Sequence, residues 1–82
     1  MPPHTIATLR THAIEVLAAA HVPTPDVDAE LLIGHILGLS RGQVQARVAT
    51  DAGVHPYEAL AVLEVIERRA AREPLQHITG RA

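Results

Sequence analysis

"AELLIGHILGL", Ala29 to Leu39, decides the fold. Leu31, Leu32, Ile33, Ile36 and Leu37 occupy more than one face of a helix. A helix that is apolar most of the way round is normally central, with neighbours on several sides. This segment is therefore expected to be the core helix of a bundle. Thr24 and Pro25 before it suit an N-cap and a first helical position. Asp26, Asp28 and Glu30 then fall in the first turns, where the helix dipole favours acids. Gly38 permits the turn that follows.

Working toward the N-terminus, "HVPTP" (His21 to Pro25) has two prolines in three residues and interrupts helical backbone. Before it, Ile6, Leu9, Ala13, Val16, Leu17 and Ala20 recur at helical spacing behind a Thr5 cap. Met1 to His4, with two prolines, is expected to fray.

Toward the C-terminus, Ser40 and Gln43 have capping-box spacing, opening a short helix "RGQVQARVA" that carries Val44 and Val48. "TDAGV" reads as a loop. His55 as cap and Pro56 as first residue open a fourth helix, with an expected stripe of Tyr57, Leu60, Leu63, Ile66 and Ala70. Glu64 and Arg68 are spaced to pair at i, i+4. Pro74 ends this helix. Leu75, His77, Ile78 and Thr79 favour extended backbone, and Gly80 offers a turn.

Composition agrees with helices. Of the 82 residues, 48% are hydrophobic but only 1% aromatic, so the core must be built from Leu, Ile, Val and Ala. That favours close helix packing over a sheet. One domain of this size buries roughly 60–65% of its unfolded surface. Its stability is expected to be on the order of 4–12 kcal/mol. The fold class is thus all-α: a small bundle of four to five helices over residues 1–73. Residues 74–82 lie outside its period.

The same inventory narrows the chemistry. The absence of cysteine removes disulfides, thiolate zinc sites and cysteine nucleophiles, and fits a reducing cytoplasm. His4, His12, His21, His35, His55 and His77 include no i, i+3 or i, i+4 pair, so they read as surface or capping residues. The five glycines form no phosphate loop, and Ser40, the single serine, is explained by capping. No catalytic, cofactor-binding or metal-binding residue is therefore assigned. The stretch Asp28 to Val48 imitates a helix-turn-helix, with Arg41, Gln43, Gln45 and Arg47 as base readers. A net charge of −2 argues against nucleic acid as partner and leaves DNA binding a minor alternative. No apolar run reaches the ~18–20 residues that span a bilayer. Arg68, Arg69 and Arg72 are the candidate partner-binding residues, although a helix end matching its own dipole explains them as well. A free-standing adaptor that grips a partner helix is a further reading of such a bundle.

Two stretches together carry a family likeness. "DAELLIGHILGLSR" (Asp28 to Arg41) and "RRAAREPLQHITGRA" (Arg68 to Ala82) resemble the N-terminal region of the peptide chain release factor glutamine methyltransferases, the HemK/PrmC family. The order and spacing of the helices are similar over nearly the whole chain. One position departs: the family commonly carries an aromatic where His77 stands.

The resemblance implies a two-domain parent, in which the bundle precedes a β-hairpin linker and a Rossmann-like methyltransferase domain. That domain would bind S-adenosylmethionine through residues absent here, including an Asn-Pro-Pro-Tyr motif. It would methylate the glutamine side-chain amide in the Gly-Gly-Gln loop of release factors. Pro74, Leu75, Gln76, Ile78, Thr79 and Gly80 match the family's interdomain junction. They are expected to begin the first hairpin strand, which makes the chain an excised N-terminal domain. The implied partners are the release factor and the chain's own catalytic domain. A cytoplasmic monomer, inactive by itself, is expected to help position the substrate.

Overall fold

In the computed structural model, which describes residues 4–80, five helices pack around one of their number. They are α1 (Ile6–Ala19), α2 (Pro25–Leu37), α3 (Arg41–Ala49), α4 (Pro56–Ala70) and α5 (Leu75–Thr79). Helix α2 touches all four of the others, so the centre of the bundle lies where its apolar surface placed it. The Cα radius of gyration, 11.6 Å, equals the ~11.7 Å expected of a folded chain of this length.

The helix starts follow local chemistry. Thr5 accepts from the Thr8 amide at 3.1 Å, and Ser40 accepts from the Gln43 amide at 3.2 Å. The side chains of Thr8 and Gln43 return the bond to the cap amides, completing two capping boxes. His55 does similar work for α4: its Nδ1 accepts from the Tyr57 amide at 3.2 Å, while Glu58 accepts from the His55 amide. Helix α2 stops at Gly38, whose φ of +69° is the left-handed cap that glycine adopts without penalty. The turn beyond is tight enough to need Gly34 as well. A Cβ there would press into the backbone carbonyl of Leu39.

The core gathers Ile6, Leu9, Ala13 and Leu17 from α1 with Ala29, Leu32 and Ile33 from α2. Val44 enters from α3, and Ala59, Val62, Val65 and Ile66 from α4. The α4 stripe therefore differs from the expected one. Tyr57 and Leu60 are 77% and 64% exposed, while the smaller Ala59 and Val62 face inward. The helix is rotated so that its short side chains, Ala59 and Val62, face α1 and α2. The Glu64–Arg68 pair is also replaced: Arg68 turns to Glu73, with Nε 2.9 Å from its carboxylate.

The C-terminal expectation needs a larger correction. Leu75 to Thr79 form a helix and no strand, and Ile78 is buried in the core at 7% exposure. Pro74 supplies the N-cap position, and Gly80, at φ +73°, ends the helix. An isolated strand here would have had no ladder partner, whereas one helical turn buries Ile78 against α2 and α4. At the other end, His4 is held, its carbonyl accepting from the Val54 amide at 3.1 Å. The expected fraying of Met1 to Pro3 lies outside the described residues. No helix among the described residues is long and apolar enough to cross a membrane.

Candidate functional site

The sequence-predicted arginines divide on inspection. Arg69 is only 17% exposed; its Nε donates to Asp28 Oδ2 at 2.9 Å and ties α4 to α2. Asp28 also accepts from Thr24 Oγ1 at 3.0 Å. Arg68 is engaged with Glu73. That exposed pairing holds the Glu73 carboxyl below its ordinary range, chiefly through the Arg68 hydrogen bond. Arg72 makes no side-chain hydrogen bond among the described residues, and its backbone lies at φ +78°. The three are thus not one open basic patch: two of them brace the bundle.

A stronger polar centre lies on α2, at a residue the sequence reading assigned to the helix dipole. Glu30 has a side chain only 2% exposed. Its Oε2 accepts from Arg10 Nε of α1 at 2.8 Å. Its Oε1 accepts from Arg41 Nε at 2.6 Å and from Gln45 Nε2 at 2.9 Å, both on α3. Burial pushes the Glu30 carboxyl upward, but the hydrogen bonds from Gln45, Arg41 and Arg10 together outweigh it and hold its pKa below the ordinary range. A signal for this centre was present. An acid embedded in "AELLI" needs a buried partner, and Arg41 and Gln45 share one face of α3 at i, i+4.

This centre also bears on the helix-turn-helix likeness. Arg41 and Gln45 are turned onto Glu30, and Gln43 caps its own helix. Two of the four supposed base readers, Gln43 and Gln45, are therefore committed within the domain, and Arg41 spends its Nε there. Among the described residues no cluster of three His, Asp or Glu side chains is placed to hold a metal ion.

Beside the Glu30 centre a groove of about 700 Å³ opens between the α2–α3 turn and α5. Leu31, Leu39 and Leu75 give it an apolar surface, and His35, Arg41 and Gln76 give it polar ones. The junction residues are thus split. Ile78 is sealed in the core, while Leu75, Gln76 and Thr79 face the groove. A second exposed apolar feature among the described residues is on α4, where Tyr57 stacks on the His55 ring at 4.9 Å, with Leu60 one turn on.

Fold and site define a five-helix domain whose buried polar groups serve its own architecture and whose open surface is a groove beside its last helix. The chain belongs to the PrmC N-terminal domain family, whose model matches residues 8–80. It is 47% identical over 72 residues to the release factor glutamine methyltransferase of Deinococcus radiodurans, covering 88% of this chain and 25% of that one. The corresponding protein of Streptomyces coelicolor is 44% identical over 70 residues, covering 85% and 23%. That of Rhodospirillum rubrum is 50% identical over 64 residues, covering 78% and 19%. The chain thus spans about a quarter of the length of the curated relatives it matches. No solved structure matches it.

Proposed function

We propose that this domain recognises the release factor for a methyltransferase that modifies the glutamine side-chain amide of its Gly-Gly-Gln motif. The observation that carries the reading is the family match over residues 8–80. The relatives are named release factor glutamine methyltransferases, and the matched stretch is about a quarter of their length. In this reading the rest of the parent binds S-adenosylmethionine and performs the transfer in the cytoplasm. The five helices together form the recognition bundle, which moves the boundary expected at residue 73 to beyond α5, and the catalytic domain of the parent follows the bundle. Helix α5 anchors the junction residues to the bundle through Ile78.

The physical logic is one of remote binding energy. A glutamine on a flexible loop is costly to orient, and a second contact with the release factor body lowers that cost. The five-helix frame suits the task, because a rigid module loses little entropy on binding.

Calorimetric titration of the 82-residue chain with unmethylated cognate release factor tests the reading. Saturable one-to-one binding is expected. Absence of heat or binding at the highest soluble concentrations would overturn the recognition role.

A further inference from the structure

We infer that the groove between the α2–α3 turn and α5 is the surface that receives the release factor, and that it takes an apolar side chain flanked by a carboxylate. The inference rests on the recognition role proposed above and goes further by naming the surface and the chemistry of what fills it.

Charge complementarity is the first ground. The chain as a whole is acidic, at −2, yet among the described residues no Asp or Glu lines the groove, while Arg41 and His35 do. Beside it, two guanidiniums, Arg10 and Arg41, share the single carboxylate of Glu30. One positive charge is left in excess. Arg41 spends only its Nε on Glu30, and among the described residues its two terminal nitrogens donate no hydrogen bond. Its side chain is 43% exposed. Nε is fixed by a buried acceptor, so the planar fork is held in place and its outer edge is presented to an incoming carboxylate.

Shape and polarity are the second ground. Leu31 is one of three exposed large apolar residues among those described, and it lies on this groove with Leu39 and Leu75. The other two, Tyr57 and Leu60, stand on helix α4 and do not line it. An apolar floor with a fixed cation at its rim selects for a hydrophobic residue next to an acid. A purely basic or purely polar segment would leave Arg41 unmatched or Leu31 uncovered.

Gln76 provides the test, because it is exposed, lines the groove and takes no part in the ion-pair network. The experiment is an amide chemical-shift titration of the isotope-labelled chain with unmethylated cognate release factor, repeated with Gln76→Glu and Gln76→Lys. Matched melting curves establish that both variants fold. Shifts are expected at Leu31, His35, Leu39 and Thr79. Gln76→Glu is expected to weaken binding about five- to tenfold and Gln76→Lys to tighten it severalfold, as one charge beside a paired carboxylate requires. Equal affinities for the two variants, or shifts confined to Tyr57 and Leu60, would overturn the groove assignment and leave the recognition role standing. No binding by the unaltered chain would remove both.

Discussion

Glu30 of α2 and Arg41 of α3 meet at 2.6 Å, with the carboxylate buried and the guanidinium half in water. The pair fixes the α2–α3 angle, and Arg10 extends the brace to α1. One buried acid thereby sets the relation of three helices. A buried carboxylate is stabilising only when its acceptor sites are filled, and Glu30 meets that condition.

The sign of its pH dependence follows from its depressed pKa. The folded-state value lies below that of the unfolded chain, about 4.3. The stabilisation is therefore whole above about pH 5 and is lost as pH falls through the folded value. Glu30→Gln is expected to be about 1–3 kcal/mol less stable at pH 7, the lower part of the range for a buried pair because both arginines are partly exposed. Urea midpoints measured from pH 7 to pH 3 should show the gap to the unaltered chain closing. A gap of constant size would show that Glu30 is not held as a carboxylate by these partners.

Gly34 is required for space. Gly34→Ala places a methyl group against the Leu39 carbonyl, a backbone atom that no rotamer change can move. A loss of about 2–3 kcal/mol is expected from the displaced turn. The ordinary gain in helix propensity from glycine to alanine, ~1 kcal/mol, would dominate if the turn were loose. Thermal melts of the two proteins decide between loss and gain.

The orientation of α4 is open to a paired substitution. Ile66→Ala removes a fully enclosed side chain and should cost about 2–5 kcal/mol. Leu60→Ala, at an exposed position, should change stability by less than about 0.5 kcal/mol. Comparable losses from both would mean that α4 presents the larger face the sequence suggested.

Much of this was legible in the sequence. Caps and breakers are local devices, and Thr5, Pro25, Ser40 with Gln43, and His55 with Pro56 act where they were read. The centrality of α2 followed from its wide apolar surface. What was misread depends on the third dimension. On α4 helical spacing points to the largest side chains as the buried ones, but packing against α1 and α2 buries Ala59 and Val62. At the C-terminus, local preference for extended backbone was overridden by the burial that Ile78 gains in one helical turn. An acid within "AELLI" announces a buried partner, but Glu30 takes its partners from 20, 11 and 15 residues away, and those spacings do not say which residues they are. The arginines of α4 illustrate the converse, since helix-end charges that looked available are bound to Asp28 and Glu73.

The most direct measurement of the proposed recognition role compares the proposed parent methyltransferase with a version lacking residues 1–80, each assayed on intact release factor and on a short Gly-Gly-Gln peptide. kcat/KM on intact release factor is expected to fall at least tenfold in the shortened enzyme, while affinity for S-adenosylmethionine and efficiency on the peptide stay as they were. Equal efficiency of the two enzymes on intact release factor would contradict it.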